Sequence, residues 1–360
     1  MNESPGSPLK HISSIAGLKA LCTLMIFWQH GPLPASPVNL GYRACEFFFL
    51  AAGFLYLYSH QERSIPCTFA GSAEYVRKKL VSFYPLHLLG FLMGCFLIPR
   101  SQWLTAETAV NAAFNLTLTQ AWSPAEAVHF GFNGASWFLS ALIFCYFCGV
   151  PMLRLLKKRA RAFSAFVLCA VLRGVLEYAQ ILCPQYFGFS VHTFPVIRCL
   201  EFYCGMCIAA FTLMTWTRIR SPRRTAFLFS LGEILTLGAA VWLIIRNNES
   251  WHRFECLMVM CPVLYVFSFD RGILSRMLSA APLRWLGGIS LEFYIFHQPV
   301  TLLICPHLTF HYWNWYVEST AYCLAATLLC VLIYRLILKK PMECCFDRLS
   351  ARLFSRLRSL

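Results

Sequence analysis

Apolar runs long enough to cross a membrane as helices recur along the chain, at roughly residues 13–33, 41–59, 81–99, 136–156, 162–182, 194–215, 225–246, 253–269, 283–304 and 317–338. A helix rises about 1.5 Å per residue, so each approaches the ~30 Å of a hydrocarbon core. Short polar connections separate them, and the basic residues are unevenly shared. The segments 1–19, 60–80, 153–161, 216–224, 270–284 and 339–360 hold 24 of the 31 Lys and Arg. The other seven, Arg43, Arg100, Arg173, Arg198, Arg246, Arg253 and Arg335, fall in the spans and the intervening loops. By the positive-inside rule this alternation predicts an all-α, polytopic membrane protein with about ten transmembrane helices and both termini in the cytoplasm.

Composition agrees with that pattern. Only 13% of residues are charged, against about 25% in an ordinary soluble domain, and the mean hydropathy is +0.58. The net charge of +15 is then topological and does not argue for nucleic acid. The polar start, MNESPGSPLKHISS, shows no cleavable signal pattern. Eighteen Cys are present, most of them inside apolar runs, where Cys behaves as a small hydrophobe. Cys204 and Cys207 have CxxC spacing without a second pair nearby, so no metal is expected. No repeat or separate soluble domain is visible. The reading is one integral membrane domain at 1–340, followed by a basic amphipathic cytoplasmic tail at 341–360 that could lie on anionic lipid.

The first run carries the strongest chemical signal. Lys19 and His30 are eleven residues apart, three helical turns, so they share a helix face about 16 Å apart along the axis. With the N-terminus inside, Lys19 lies at the cytoplasmic end and His30 toward the outer face. An imidazole at that depth is a functional candidate, although a helix-end Lys and an interfacial His beside a Pro-rich loop (Pro32, Pro34, Pro37) fit the spacing equally. The longest outer loop, about 100–135, holds Trp103, Asn111, Asn115, Gln120, Trp122, His129 and Asn133, a polar and aromatic set that could receive a sugar. Arg198 and Glu201, three apart on one helix face, read as a structural pair.

Six motifs in order resemble the type-three membrane-bound acyltransferases, integral proteins that transfer acyl groups, most often acetyl, onto carbohydrates. They are Gly17-Leu18-Lys19-Ala20 with His30; the run from Ala44 through Glu46 to Phe54; Lys79 through Ser82 to Pro85; Ser136-Trp137-Phe138-Leu139-Ser140; Arg198, Glu201, Phe202 and Gly205; and Leu286, Gly287, Ile289, Ser290, Tyr294, His297 and Pro299. The resemblance implies acyl-CoA, in particular acetyl-CoA, as co-substrate on the cytoplasmic side and a carbohydrate hydroxyl as acceptor on the other. On that basis His30 is the expected general base or acyl carrier. Glu46 would orient its imidazole, unless that carboxylate simply pairs with Arg43. Lys19, Lys79 and Ser82 would face the acyl donor, with Arg77 and Lys78 in a wider basic ring that ordinary positive-inside charge would also explain. Trp137, Tyr294 and His297 would line the cavity.

The chain departs from the family pattern: Lys19 and Lys79 stand where Arg is usual, Ser82 for a second Arg, Glu46 for Asp, and Ala52 for Ser. Lys keeps the charge but loses the bidentate fork that suits phosphate. The expected setting is a multi-pass protein of a cell membrane, most simply a bacterial inner membrane, modifying an envelope carbohydrate, with oligomeric state unspecified. Two other readings stay open. One is a transporter or flippase using His30, Glu46, Arg173, Glu177, Glu233 and Glu292 as relay groups. The other is a family member that has lost its chemistry.

Overall fold

The computed structural model describes residues 12–34, 38–60, 67–156, 158–216, 222–246, 254–308 and 314–358. The start through residue 11, Pro37, Arg253 and the side chains of Arg356 and Arg358 lie outside what it describes. The described residues are helical with turns between. The longer helices are α1 (Ser13–His30), α2 (Leu40–Ser59), α3 (Phe69–Cys95), α4 (Ala106–Leu116), α5 (Glu126–His129), α6 (Trp137–Leu155), α7 (Arg159–Leu182) and α8 (Pro195–Trp216). They continue as α9 (Pro222–Arg246), α10 (Phe254–Phe267), α11 (Ile273–Leu278), α12 (Ala281–Gly288), α13 (Ser290–Ile304), α14 (Trp315–Ile333) and α15 (Lys339–Arg358).

Each predicted apolar run coincides with a helix. Among the described residues six helical stretches are long and apolar enough to cross a membrane, and a seventh is reached if the pair α12 and α13, bent by 72°, counts as one span. The other runs fall on α1, on α3 and on α10, which has only 14 residues. α3 starts twelve residues before its predicted run because Thr68 caps it, its hydroxyl accepting from the Gly71 amide at 3.1 Å. The exterior is apolar: Phe227, Leu235 and Trp242 on α9 and Leu168, Val171 and Val175 on α7 are exposed. Charge is buried inside, the reverse of a soluble protein and the expected arrangement in lipid.

The centre is the crossing of α2 and α8. A Cβ on Gly53 would lie 1.8 Å from the Phe202 carbonyl oxygen, and one on Gly205 2.0 Å from that of Leu50, so the two backbones touch and only glycine fits. Behind this crossing runs a buried ionic chain. Arg198 donates to Glu201 at 2.6 Å, Arg173 to Glu201 at 3.0 Å and also to Glu177, whose other oxygen accepts from the Phe254 amide at 2.9 Å. Two cations and two anions cancel, and α7, α8 and α10 are tied together. The pairing of Arg198 with Glu201 is as the spacing suggested; its extension through Arg173 comes from another helix.

Pro299 sits inside α13 and cannot donate to the carbonyl four residues earlier. That carbonyl, on Ile295, is instead satisfied by the Asn133 amide at 2.9 Å. Asn133 is 1% exposed and its own Oδ1 accepts from the Ala135 amide, so the loop between α3 and α6 is pinned to α13. Most of the polar residues of that loop are spent on folding it: Asn111 donates to the Ala127 carbonyl, Asn115 to Asn111 and Val128, and Gln120 to Ser136. At the other end α14 runs through a π-helical turn, Tyr334–Leu338, into α15. α15 packs on α3 through Arg77 and Asp347, 2.7 Å apart, and through Tyr84 and Phe346.

Candidate active site

α1 carries Lys19 and His30 to two different cavities. His30 ends the helix and is exposed toward a cavity of about 270 Å³, lined also by Gln29, Tyr42, Cys45, Trp137, His192 and Gln298. Its Nδ1 is 3.1 Å from Nε2 of His297, a fully buried residue of α13. The hydrogen bonds fix the protons. Nδ1 of His297 lies 2.6 Å from the Tyr294 carbonyl oxygen, which can only accept, so that nitrogen carries the hydrogen. Its Nε2 then presents a lone pair, and His30 must donate to it from Nδ1. The remaining nitrogen of His30, Nε2, is left with a free lone pair. Two neutral imidazoles in series thus present one base at the cavity.

Lys19 and Lys79 line a second cavity, of about 300 Å³, with Tyr56, Tyr75 and Tyr146. Both ammonium groups are half-buried, and neither is within ion-pair distance of a carboxylate among the described residues. Glu292 is close enough to act on Lys19 electrostatically, but it is bound to Arg335 at 3.3 Å and Lys339 at 3.2 Å. Lys79 lies over the rings of Tyr75 and Tyr146, 5.5 and 5.2 Å from their centroids. Among the described residues, then, two cations face this recess without an ion-pair partner, a setting whose charge favours an anion.

Tyr294 lines both cavities and is the wall between them. Its hydroxyl is 3.8 Å from the Cys45 sulfur. The two cavities thus meet at Tyr294, with His30 on one and Lys19, eleven residues earlier on α1, on the other.

The sequence matches the Acyltransferase domain family over residues 12–335. The chain belongs to this acyltransferase family. Among curated proteins it is similar to the acyltransferase MdmB of Streptomyces mycarofaciens, 28% identical over 230 residues, which is 55% of this chain and 57% of the relative. The chain thus spans somewhat over half the length of that relative. No solved structure matches. Its family and its apolar helices are consistent with a multi-pass membrane protein.

The site residues expected of this acyltransferase separate clearly in space. His30, Trp137 and Tyr294 meet at one cavity, and His297 stands directly behind His30. Lys19 and Lys79 meet at the other, but Ser82 does not line it. Arg77 and Lys78 do not line it either: Arg77 is engaged by Glu74 and Asp347, and Lys78 points outward, 3.8 Å from Glu74. Glu46 makes the pairing that the sequence left open as its alternative. Its carboxylate takes both oxygens to Arg43, at 2.8 and 3.0 Å, and among the described residues no hydrogen bond joins it to His30. An i,i+3 pair on one turn is the shorter reach, and the groups beside the His30 ring are instead His297 and, behind it, the Tyr294 carbonyl.

Tyr42, His192, Gln29 and Gln298 have no matched place in the sequence motifs, and Cys45, inside the second, had no role assigned. His192 is held by Arg198, which donates to its Nδ1 at 3.0 Å, and its ring packs against Tyr42 and Trp137, with centroids 3.8 and 4.6 Å away. The groups that a relay through the membrane would need are committed to fixed partners. Glu46 is on Arg43, Glu177 is in the ionic chain, and Glu292 is on Arg335 of the π-helical turn and Lys339 of α15. Glu233 accepts from the amides of Gly272, Leu274 and Ser275 and from the Ser275 hydroxyl, closing the first turn of α11. Among the described residues no group of three His, Cys, Asp or Glu is placed to hold a metal ion.

Proposed function

We propose that the protein is an integral-membrane O-acyltransferase that carries an acyl group, acetyl in the simplest case, from acyl-CoA to a hydroxyl of a cell-envelope or exported carbohydrate. With ten spans and both termini in the cytoplasm, the Lys19 and Lys79 cavity opens inward and the His30 cavity outward. The donor's anionic groups bind Lys19 and Lys79, and its pantetheine arm enters the recess, which is too small for the nucleotide. The acceptor hydroxyl approaches from the other side of Tyr294. His30 Nε2 takes its proton as the oxygen attacks the thioester carbonyl. The carbon–sulfur bond then breaks, and the proton passes from His30 to the departing thiolate. While His30 is protonated, its Nδ1–H bond to His297 becomes charge-assisted, which favours the transition state over the ground state.

The observation that carries this reading is the hydrogen-bond order from the Tyr294 carbonyl through His297 to His30, which leaves an imidazole lone pair at a cavity that shares the Tyr294 wall with two lysines lacking an ion-pair partner among the described residues. Membership of the acyltransferase family and similarity to the acyltransferase MdmB support it. The test is acyl transfer in membranes supplied with radiolabelled acetyl-CoA, following label into envelope carbohydrate. Loss of a general base removes about 10²- to 10⁴-fold, so His30→Ala is expected to abolish detectable transfer while the protein remains folded. Lys79→Met is expected to raise KM for acetyl-CoA about tenfold with kcat little changed. Equal incorporation by wild type and His30→Ala overturns the assignment of the base.

A further inference from the structure

The His30 cavity continues into a groove of about 490 Å³ on the outer side, and the two share Tyr42, Phe130 and His192. Beyond this neck the groove runs between the two outer loops, with Glu126 and His129 on one side and the segment from Phe187 to Ser190 on the other. We infer that this groove is the subsite for the non-reacting part of the acceptor, and that it takes an uncharged or amine-bearing glycosyl group and disfavours an anionic one. This rests on the acyl-transfer reading above and adds to it the route and charge of the acceptor.

Three features of the walls carry the inference. First, neither the cavity nor the groove is lined by Lys or Arg, and the single carboxylate, Glu126, is exposed with no ion pair among the described residues. The nearby histidines add no cation. Burial holds His129 below the ordinary imidazole range, against the pull of Glu126. His192 receives an Arg198 proton on Nδ1, and that guanidinium is balanced by Glu201. An anionic acceptor would therefore meet a carboxylate and no counter-charge, whereas an ammonium or a pair of hydroxyls would find an acceptor in Glu126.

Second, aromatic faces are set at the apolar sides of the passage. Phe189 is stacked on Phe194, 4.4 Å between centroids at 19°, which fixes its ring where the groove runs, and Phe130 packs edge-on to His129. Rigid rings of this kind receive the CH faces of pyranoses at little entropic cost. Third, hydrogen-bonding atoms remain for a polyol. His129 donates from Nδ1 to the Ser123 carbonyl at 3.3 Å, leaving Nε2 to accept from a hydroxyl. The Ser190 oxygen accepts from the His192 amide at 3.2 Å, leaving its O–H to donate.

The test uses the full chain in nanodiscs with three probes: methyl glucoside, methyl glucosaminide and methyl glucuronide. Binding is read by ligand-observed saturation-transfer NMR. Wild type is expected to bind the first two at least several-fold more tightly than the glucuronide. Glu126→Lys, an exposed change, is expected to shift the glucosaminide-to-glucuronide ratio about tenfold toward the anion. Phe189→Ala is expected to weaken all three by up to about tenfold with KM for acetyl-CoA unchanged. A charge preference untouched by Glu126→Lys, or no binding of any probe by wild type, overturns the inference. The acyl-transfer reading has its own readout: His30→Ala should bind the probes as wild type does and transfer no acetyl, and retained transfer would defeat that reading whatever the glycosides do.

Discussion

Replacing His297 separates a positioning role from a merely structural one. The side chain is fully buried, and its Nε2 is the acceptor for the Nδ1–H of His30 at 3.1 Å. His297→Leu removes the acceptor and leaves the His30 tautomer unspecified. A hydrogen bond to a group that becomes charged is worth about 1.5–3 kcal/mol. It reaches full strength only when His30 is protonated in the transition state, so the loss should appear in kcat, at about tenfold to a hundredfold, and not in KM for acetyl-CoA. His297→Gln places an amide oxygen near the old Nε2 position and should recover most of the activity, which a packing role for the imidazole would not predict. The assay is initial-rate transfer from labelled acetyl-CoA by detergent-purified protein, each variant checked for monodispersity by size-exclusion chromatography. If His297→Leu retains wild-type kcat, or if Gln and Leu lose equally while both are folded, the two-histidine arrangement does not act in catalysis.

Two further outcomes concern the frame around the site. Asn133→Ala leaves the Ile295 carbonyl beside Pro299 without its donor, which is expected to cost about 1–3 kcal/mol and lower the thermal midpoint in detergent. Asn133→Asp should lose as much, since a carboxylate cannot donate, and an unchanged midpoint in both would contradict this account of the loop anchor. Gly53→Ala drives a methyl to 1.8 Å from the Phe202 carbonyl oxygen and should separate α2 from α8, with a loss of about 3 kcal/mol or more that abolishes the folded peak; Ala51→Gly, two residues away, serves as the control for helix propensity.

Much of this protein could be read from periodicity and spacing. The apolar runs located the long helices because a segment that must satisfy its backbone in lipid has few alternatives to a helix. The offset of eleven between Lys19 and His30 put them on one helix face, and the structure sets them at two separate cavities. Local pairs, such as Arg43 with Glu46 and Arg198 with Glu201, were also legible, because three residues along a helix are neighbours whatever surrounds them. The early start of α3 was not, since its first turns are polar and depend on the Thr68 cap.

What the sequence could not decide is which distant groups meet. His30 and His297 are 267 residues apart, and no spacing rule joins them. Their contact depends on α1 and α13 packing side by side, and the tautomer of each follows from a carbonyl that only the folded chain brings within reach. The same holds for His192, drawn to Tyr42 and Trp137 by Arg198, and for Lys19 and Lys79, whose lack of a counter-ion is a fact about their surroundings and not about their identity. Composition and pattern determined the solvent this chain folds in, its helices and the residues capable of chemistry. Tertiary packing decided which of those residues are satisfied and which are left free to react, because hydrogen bonds and ion pairs act over a few ångströms of space and are indifferent to distance along the chain.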